Sequence, residues 1–469
     1  MITFFFKTYG CQANVADSEE IAKFLKSLGC DDVPTEEEAD LLIVNTCAVR
    51  DKAEQKLFSY LGRLSDIKRQ SKPYVNIGVI GCVASYKKEE IYKRFDQVNF
   101  VYGAREDMKT FLAYLTDMVV KLETKKQLRN DEPETIVKSG GQDRNVKQYV
   151  QSKGLFSKAM PLFKKRLYDV KPFKTEKEMV ASFINIMTGC NKFCKYCIVP
   201  FTRGREISYD MTEIIERVKH DIACGVKEIT LIGQNVNSYR DPQTGADFSE
   251  LLRRVAAIEG EFWVRWVSPH PQDMTMELFD VIAQHRDKIP PYVHFPVQSG
   301  STRMLFEMGR NHTIELYLEQ IEWLRSRLPD ATISTDLIVG YPGETEEDYN
   351  QTMALLEKVR YDLVYSFIYS PRNYTPAAKL TDSTPAEVKT QRLEALQERQ
   401  RVIARAKNDA HIGKIMKSLV EKRLPNGKLL ARTEGNVRVL FDGDDALISS
   451  FVNLKINEAG VANMLGTLV

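Results

Sequence analysis

The 469-residue sequence predicts an α/β protein with three folded parts: an N-terminal parallel α/β sheet domain, a central partial (β/α)6 barrel, and a C-terminal small all-β barrel. Short apolar runs alternate with helical periodicity through most of the chain, which is typical of strands joined by helical crossovers. From about residue 409 the apolar period changes to nearly two, which is typical of antiparallel strands.

Composition excludes several classes of protein. Apolar residues make up 43% of the chain and charged residues 28%, which are ordinary values for a globular protein and exclude disordered and fibrous classes. The formal net charge is +2, so any basic surface for nucleic acid has to be local. Because no apolar run is long enough to cross a bilayer and the first residues lack the basic segment of a signal peptide, we expect a cytoplasmic protein with no membrane partner.

Residues 1–120 are expected to form the first domain. Its predicted strands, each a short apolar run, are Thr3–Thr8, Asp40–Asn45 and Val75–Ile80. Helical periodicity follows over 16–28, with Asp17 and Ser18 as candidate N-caps, and again over 50–70. Strands separated by helices predict a parallel sheet.

Residues 121–175 differ in composition from both neighbours. They contain fourteen Lys and Arg residues against six Asp and Glu residues, so their net charge is +8. They show no sustained period, which favours a solvated basic linker. The alternative is a basic strap that contacts RNA phosphates.

Residues 176–408 are expected to form the central domain. Its predicted strands are Ser182–Met187, Glu228–Ile232, Phe262–Val267, Tyr292–Phe295, Thr332–Ile338 and Leu363–Ile368. Helical stretches between and after them are predicted at Thr212–Ala223, Phe248–Ile258, Thr313–Arg327 and Pro385–Ala410. Six such units in series favour a partial parallel barrel over an open doubly wound sheet.

Residues 409–469 are expected to form the small barrel. Turn signals occur at 425–427, 434–436 and 442–443, between segments with a period near two. Its basic residues are Lys422, Arg423, Lys428, Arg432 and Arg438. Because aromatic residues are few there, contact with a nucleic-acid backbone is favoured over base stacking.

The strongest motif is a core triplet of cysteines, Cys190, Cys194 and Cys197, directly after a predicted strand. Three thiolates within eight residues can bind three irons of a cubane cluster and leave the fourth iron open. The alternative, a structural zinc knuckle, normally has four protein ligands.

A second set, the N-terminal triplet, comprises Cys11, Cys47 and Cys82, and each follows the carboxyl end of a predicted strand. Such ends share one edge of a parallel sheet, so we expect these thiols to converge there. The alternative is that they are small buried residues. Cys30 and Cys224 lack this placement and are interpreted as structural.

The spacing of the core triplet resembles the radical S-adenosylmethionine (SAM) superfamily, and the two triplets together with the terminal barrel resemble the methylthiotransferase family. The last residues resemble its RNA-binding TRAM module, and TYGCQ and TRGRE resemble its tRNA-modifying MiaB branch. The resemblance rests on Thr8–Glu19, Asn45–Leu64, Gly81-Cys82, Cys190–Glu206, Leu231–Tyr239, His294–Ser301, Asp336–Asp348 and Tyr369–Arg372. The chain departs from the family pattern at Asn373-Tyr374, just after Cys82 and over 121–175.

The resemblance implies two 4Fe-4S clusters, one on the core triplet for SAM and an auxiliary one on the N-terminal triplet that carries the sulfur. SAM would be both radical source and methyl donor. The implied reaction is methylthiolation at carbon-2 of N6-isopentenyladenosine at position 37 of tRNA, with no catalytic residues beyond the cluster ligands. The alternatives are methylthiolation of an aspartate in a small-subunit ribosomal protein and a non-catalytic iron–sulfur RNA-binding protein.

Polar residues at predicted strand ends are candidates for contacts with SAM or the adenosine. These are Gln234, Asn235, Ser268, His270, Gln298, Ser299 and Arg372. For each, a loop hydrogen bond is the alternative. His294 lies within a predicted strand and is interpreted as a packed core histidine. Arg203 and Arg205 are candidates for RNA or SAM contacts, and surface pairing with Glu206 is the alternative.

The barrel residues Arg432, Arg438 and Lys428 complete the predicted RNA contacts. The expected partners are tRNA, SAM and an electron donor that the sequence does not identify. Nothing in the sequence demands a dimer, so we expect a monomer.

Overall fold

The computed structural model describes residues 1–48, 51–70, 74–131 and 180–469. The chain divides into two compact units, each described by itself. The first is Met1–Phe173 with Ile198–Glu206, and the second is Lys174–Cys197 with Ile207–Val469.

The first unit contains a five-stranded, wholly parallel sheet in the order β2-β1-β3-β4-β5. The strands are β1 Thr3–Tyr9, β2 Asp31–Asp32, β3 Leu41–Thr46, β4 Asn76–Gly81 and β5 Val98–Gly103. The helices are α1 Gln12–Ser27, α2 Asp51–Gln70, α3 Cys82–Arg94, α4 Met108–Asp131 and α5 Val199–Thr202. Every residue of β3 is buried, as expected for a central strand covered on both faces.

The predicted N-caps of α1, Asp17 and Ser18, are wrong. The helix begins at Gln12, and the N-cap residue is Cys11, whose backbone is extended (φ −87°, ψ 177°). Ser18 instead accepts a hydrogen bond from the Asn45 amide at 3.0 Å. The N-cap preference of Asp17 and Ser18 did not determine where α1 begins, because β1 leads directly into the helix.

The sequence missed β5 and underestimated α4. β5 is a short buried run without a turn signal before it, and it pairs with β4 on the edge of the sheet. α4 continues to Asp131, so residues 121–131 of the predicted basic linker are helical. The rest of that predicted linker, 132–175, lies outside the described residues.

The second unit contains six parallel strands in two three-stranded ladders, β6-β9-β10 and β11-β12-β13. These strands are β6 Ala181–Asn185, β9 Glu228–Ile232, β10 Trp263–Trp266, β11 Tyr292–His294, β12 Thr332–Val339 and β13 Leu363–Ile368. A small ribbon pairs β7 Met187–Thr188 with β8 Ile207–Ser208. Each of the six predicted strands is therefore confirmed to within a few residues.

Helices follow these strands and cover one face of the ladders. They are α6 Met211–Ala223, α7 Phe248–Ala256, α8 Met276–Gln284, α9 Thr302–Glu307, α10 Ile314–Arg327, α11 Glu346–Val359 and α12 Ala386–Asp409. Short 3-10 turns lie at Val236–Ser238, Pro271–Asp273, Pro376–Lys379 and Asp445–Leu447. The sequence had not singled out α8, α9 and α11.

The last residues form a closed barrel in the order β14-β15-β16-β18-β17. Its strands are β14 Ile415–Arg423, β15 Leu429–Thr433, β16 Arg438–Phe441, β17 Phe451–Ala459 and β18 Asn463–Leu468. The predicted turn signals fall between β14 and β15, between β15 and β16, and after β16. The α/β class with a terminal small barrel is confirmed.

The small barrel packs against the amino-terminal ends of the central strands. Trp263 at the start of β10 packs against Phe451 in a tilted arrangement with ring centroids 4.8 Å apart, and Leu419 packs with them. Glu228, the first residue of β9, forms ion pairs with Arg265 at 2.8 Å and with Arg432 of the barrel at 2.6 Å. This leaves the opposite, carboxyl-terminal edge of the strands to the core triplet.

The four-part division at residues 120, 175 and 408 stays a prediction. The central strands and the small barrel belong to one compact unit, and Ile198–Glu206 belongs to the first unit.

Candidate metal centres

The N-terminal triplet lies on one edge of the first unit's sheet. Cys11 follows β1, Cys47 follows β3 and Cys82 follows β4, and these three strands are neighbours. Cys47 and Cys82 are buried, and Cys11 is half-buried. The strand order thus places the three thiols along one carboxyl-terminal edge, where parallel sheets bind ligands.

Two buried asparagines hold the loops that carry these thiols. The Asn14 side chain donates to Asn45 Oδ1 at 2.8 Å, and the Asn45 side chain donates to the Asn14 carbonyl at 2.9 Å. Asn14 lies in the first turn of α1 and Asn45 in β3, so the pair fixes α1 against the next strand. Their amide groups are satisfied internally, which makes the arrangement rigid.

Gly10 and Gly81 precede Cys11 and Cys82 for a steric reason. A Cβ on Gly10 would lie 2.5 Å from Asn14 Oδ1. Gly81 has φ +95°, and its Cβ would collide with Asn45 Oδ1 and lie 2.8 Å from the Thr46 carbonyl. Each glycine therefore allows a strand end to approach the asparagine pair closely.

The surroundings of Cys11 favour its thiolate. A hydrogen bond with Cys47 lowers the pKa of Cys11 to about 6 against the effect of burial, and backbone amides of the first turn of α1 act in the same direction. The positive charge of Arg203 also lowers it. The thiolate is the form that binds metal, so Cys11 is prepared to act as a ligand at neutral pH.

The Gly81→Ala variant is expected to assemble only the cluster of the second unit. Its Cβ would push the β4–α3 turn away from Asn45 and displace Cys82. Iron content after anaerobic reconstitution should fall to about half of the wild-type value, since one of two four-iron clusters is lost. The matched control is Gly29→Ala, because Gly29 also has positive φ (+85°) but a Cβ there meets nothing within 4 Å. Equal iron content in both variants would contradict the steric role of Gly81.

The core triplet lies on a loop after β6 and β7, at the carboxyl-terminal edge of the second unit's strands. Within it, the Cys197 amide donates to the Cys194 carbonyl at 2.9 Å and closes a turn. The loop is held from both sides, because the Lys195 amide donates to Met308 at 2.8 Å and the Lys195 carbonyl accepts from Ala377 at 3.0 Å. Cys194 is buried, and its two partners are half-buried.

A buried arginine, Arg310, lies beside the core triplet. Its Nη1 donates to the Tyr196 hydroxyl at 3.2 Å and lies 4.0 Å from Cys194 Sγ, while its Nη2 donates to the Pro296 carbonyl at 2.7 Å. It is 4% exposed. A buried guanidinium needs a negative partner, and thiolates of the triplet supply one.

Two buried histidines stand near Arg310. The rings of His270 and His312 meet edge to face with centroids 5.8 Å apart. Burial and the charge of Arg310 lower the pKa of His312 to about 3 and take that of His270 below its ordinary range, so both rings are neutral at physiological pH. Nε2 of His270 and both nitrogens of His312 have no hydrogen-bond partner within the described ranges. Buried polar atoms left unpaired are costly, which favours a bound polar ligand here.

Three non-glycine residues around this edge adopt left-handed backbone conformations. They are Phe193 (φ 50°) in the triplet loop, Ser268 (φ 62°) after β10 and Gln298 (φ 78°) after β11. Such conformations cost about 1 kcal/mol or more each and cluster at functional sites. Their positions indicate that the functional site of the second unit lies at the carboxyl-terminal edge of its strands.

The donor atoms of both triplets suit an iron–sulfur cluster, because thiolates are its usual protein ligands. In a cubane each thiolate binds a different iron, and three thiolates leave the fourth iron open. Thiolates at strand ends, a lowered thiol pKa and a buried cation beside Cys194 agree with this.

Two family patterns match the chain. Residues 3–103 match the uncharacterized protein family UPF0004, and residues 184–356 match the radical SAM superfamily. The first match covers the sheet with the N-terminal triplet, and the second begins in β6 and includes the core triplet.

Similar proteins span the full chain. Proteins named tRNA-2-methylthio-N(6)-dimethylallyladenosine synthase are 37% identical in Carboxydothermus hydrogenoformans (100% of this chain, 99% of that protein) and 39% identical in Clostridium beijerinckii (99% and 95%). One from Geobacter metallireducens is 38% identical (99% and 98%). The chain belongs to the tRNA-2-methylthio-N(6)-dimethylallyladenosine synthase family.

Solved structures support the fold alone. The cobalamin-dependent SAM radical enzyme OxsB superposes with a TM-score of 0.51 at 12% identity over 86% of this chain, which spans 58% of the OxsB chain. The radical SAM methyltransferase TsrM from Kitasatospora setae superposes with a TM-score of 0.52 at 12% identity, over 80% of this chain and 77% of that one.

In this family member, several predicted cofactor contacts hold the loops themselves. The Gln234 side chain accepts from the Gly189 amide at 2.6 Å, and the Asn235 side chain donates to Asp273 at 2.8 Å. Ser299 is fully buried and accepts from the Ser301 amide at 3.2 Å. Their direct contact with SAM or adenosine stays a prediction.

Of the other candidates, His270 has the placement that a ligand contact requires. Ser268 and Gln298 lie at the same edge in strained conformations. Arg372 lies in the loop after β13, where its carbonyl accepts from Thr375. Their roles also stay predictions.

The predicted RNA contacts fall into different environments. Arg203 is 8% exposed and pairs with Asp17 at 2.7 Å, whereas Arg205 is exposed. Arg432 is half-buried and pairs with both Glu228 and Glu421, each at 2.6 Å. These placements favour structural roles for Arg203 and Arg432, and their contact with RNA stays a prediction.

The remaining basic residues of the small barrel differ in whether they form ion pairs. Lys428 pairs with Asp442 at 3.0 Å and Arg423 with Asp445. Lys422 and Arg438 form no ion pair with any residue that the structure describes, and they line the same open cavity of about 250 Å³.

Sequence reasoning missed Arg310, Tyr196 and His312. The run Arg310-Asn311-His312 after Gly309 is a polar segment at a helix end, which was a usable signal. Their meeting with the core triplet depends on the loop contacts at Lys195, which the sequence does not reveal.

The environments of Cys30 and Cys224, the two cysteines outside the triplets, agree with a structural role. Cys30 is buried, and burial raises its pKa to about 12. Cys224 follows the last residue of α6 and lies near His220.

The interpretation of His294 as a packed core residue is wrong. Its ring is half-buried and forms a hydrogen bond with Ser334 on the face of the strands that the helices do not cover.

No helix among the described residues is long and apolar enough to span a membrane.

Proposed function

We propose that this protein methylthiolates carbon-2 of N6-isopentenyladenosine at position 37 of tRNA. The observation that carries the proposal is the pair of cysteine triplets, each at the carboxyl-terminal edge of parallel strands and each one ligand short of a complete 4Fe-4S site. Relatives that bear the name of this activity match 99–100% of the length of the chain.

The chemistry explains why two clusters are needed. The carbon-2 hydrogen of adenine is not acidic, and carbon-2 carries no leaving group, so acid–base catalysis does not activate it. When bound, the clusters and SAM would supply a carbon radical, the sulfur and the methyl group.

The chain's own residues supply binding and charge. The three thiolates of each triplet would hold three irons and leave one position open. Arg310 would stabilise the negative charge of the core cluster through Cys194, as hydrogen bonds to a metal-binding sulfur do. His270 and His312, which are neutral and buried, would offer polar atoms to SAM. Ser268 and Gln298, the two left-handed residues after β10 and β11, lie at the same carboxyl-terminal edge.

Nucleoside mass spectrometry tests the proposal directly. Anaerobically reconstituted protein is incubated with SAM, a reductant and tRNA that carries N6-isopentenyladenosine, and the digest is compared with one from tRNA with unmodified adenosine. The expected result is a methylthio product from the first tRNA together with 5′-deoxyadenosine. If 5′-deoxyadenosine forms but no modified nucleoside appears, the tRNA activity is wrong.

The same reaction addresses the alternatives. A ribosomal protein substrate would acquire the added mass instead of tRNA. A non-catalytic iron–sulfur RNA-binding protein would produce no 5′-deoxyadenosine. A cytoplasmic location, a monomeric state and the electron donor are predictions that accompany the proposed function.

A further inference from the structure

One strand of the second unit exposes an unusual apolar row. On β13 the alternate residues Leu363, Tyr365 and Phe367 are 40%, 43% and 47% exposed. We call these three the β13 apolar row. Large apolar side chains exposed together on one strand face indicate a binding surface rather than a core.

The opposite face of β13 is covered, so the row faces away from the helical layer. Val364 and Ile368 pack in the core cluster with Leu393 of α12, and Gln397 of α12 donates to the Ser366 hydroxyl at 3.3 Å. Because side chains alternate between faces of a strand, the row lines the inner side of the strand layer.

Polar neighbours on that inner side come from the adjacent strands. Asp336 of β12 is the register partner of Tyr365, and the ring of His294 on β11 meets the Tyr365 ring edge to face at 5.9 Å. The inner face thus offers aromatic surface beside a carboxylate and an imidazole, both able to hydrogen-bond to base edges.

Cations lie at the amino-terminal end of the row. The turn between β15 and β16 lies at the start of β12, the strand next to β13, because a Cβ on Gly435 would stand 2.5 Å from Thr332 Oγ1. Arg438 begins β16 just after this turn. It lines one cavity with Lys422 and Glu421, and Glu421 is paired with another arginine, whereas neither cation has an ion-pair partner in the described part of the chain. Cations without a carboxylate partner fit a phosphate.

The carboxyl-terminal end of the row leads to the core triplet. After Ile368, Tyr369 packs on Tyr341 with centroids 5.1 Å apart, and the following loop reaches Lys195 through the amide of Ala377. The strand therefore runs from the unpaired cations of the small barrel toward the triplet loop.

We propose that the β13 apolar row binds unpaired nucleotides of the RNA substrate, with bases stacked on Tyr365 and Phe367 and a phosphate held by Arg438 and Lys422. Alternate strand residues stand about 6.6 Å apart, close to twice the ~3.4 Å rise of stacked bases, so the two rings leave room for one base between them. Stacking surfaces next to cations are the usual composition of single-strand RNA sites.

This proposal rests on the proposed function and deepens it. The small barrel alone has few exposed aromatic side chains, so its cations hold the RNA backbone, while the stacking surface is supplied by a strand of the central domain. RNA is favoured as occupant over a protein segment, because the unpaired cations require an anionic partner.

Binding of an anticodon stem-loop RNA tests the proposal. The variants are Tyr365→Leu and Phe367→Leu, which keep an apolar side chain but remove the ring, and Tyr365→Phe, which keeps the ring. Reconstituted wild type and variants are compared by fluorescence anisotropy, with Val402→Ala as control, since Val402 is an exposed apolar residue (49%) on α12. Each Leu variant should raise Kd about 5- to 150-fold, and Tyr365→Phe and Val402→Ala should leave it within about twofold.

Two further measurements complete the test. Arg438→Ala should reduce the slope of log Kd against log salt by about one, and a blunt RNA duplex without a loop should bind all ring variants equally. Wild-type Kd values for both Leu variants would overturn the proposal and assign the row to another occupant such as a protein. Methylthiolation of tRNA by the wild type tests the proposed function independently of these Kd values. If the wild type methylthiolates tRNA, the proposed function stands even when the row does not bind RNA. If the wild type does not, the proposed function is wrong.

Discussion

Replacement of Cys190 with alanine is expected to abolish cleavage of SAM, whereas replacement of Cys11 is expected to leave it intact and abolish methylthiolation. Cys190 belongs to the triplet beside Arg310 and the two neutral histidines, and Cys11 belongs to the separate edge of the first unit's sheet. Each variant should retain about half of the wild-type iron, because each removes one of two four-iron clusters.

The measurements are iron content, 5′-deoxyadenosine and methylthio nucleoside, taken on the same preparation. Cys30→Ala is the matched control, since Cys30 is a buried cysteine of the first unit with a raised pKa and lies in its apolar core. It should keep full iron and both products. Methylthiolation that survives in Cys11→Ala would show that the N-terminal triplet carries no necessary cluster.

The Glu228→Ala variant is expected to destabilise the second unit by about 3–5 kcal/mol. Glu228 is 2% exposed and compensates the two guanidinium groups of Arg265 and Arg432. Its removal leaves the buried Arg265 beside a second guanidinium at the contact between the central strands and the small barrel. Arg265 then keeps hydrogen bonds to the neutral carbonyl oxygens of Thr433 and Glu434, at 3.0 and 3.1 Å.

Thermal and urea denaturation measure the effect. The matched control is Glu250→Ala, because Glu250 also pairs with two arginines, Arg253 and Arg254, but on the helix surface, where such pairs contribute about 0–1 kcal/mol. The pKa of Glu228 is held below its ordinary value by the two arginines, so the network stabilises the fold above about pH 4.3 and this stabilisation is lost as pH falls through the folded pKa. Equal losses in the two variants would contradict the special role of Glu228.

The same network changes how the small barrel should be studied. Deletion of residues 411–469 would remove Arg432 from Glu228, remove the carbonyl partners of Arg265 and expose Trp263, so a loss of tRNA binding in that truncation would not isolate RNA contacts. Substitution of Arg438 does isolate them, because Arg438 has no ion-pair partner among the residues described.

Local sequence patterns were enough to predict most of the strands and helices of the fold. The apolar runs at β1, β3, β4 and β9 predicted strands within one or two residues of those observed, because a buried parallel strand requires a continuous apolar run. β5 escaped notice because turn residues do not separate it clearly from its neighbours. α11 follows Pro342-Gly343 and begins at a capping box of Thr345 and Asp348, which was a usable signal. The start of α1 was misplaced because Cys11, a poor cap by propensity, occupies the N-cap at a position set by the adjoining strand.

The cysteine triplets could be read from the sequence because their chemistry depends on local spacing and on the ends of strands. Arg432 shows the opposite case: a basic residue on a predicted RNA-binding barrel proves to be half-buried in an ion pair with Glu228, which lies 204 residues earlier. Charge alone does not tell a surface cation from an internal ion pair, since both have the same local pattern.

The fold class, the two cysteine triplets and the family follow from the amino-acid sequence, because apolar periodicity and thiol spacing are local properties of the chain. The three-dimensional structure was needed to show which polar groups surround the thiols and which cations of the small barrel remain unpaired. It was also needed to show that Leu363, Tyr365 and Phe367 are exposed rather than packed. These outcomes depend on contacts between residues far apart in the chain, where burial and pairing are set by which surfaces meet.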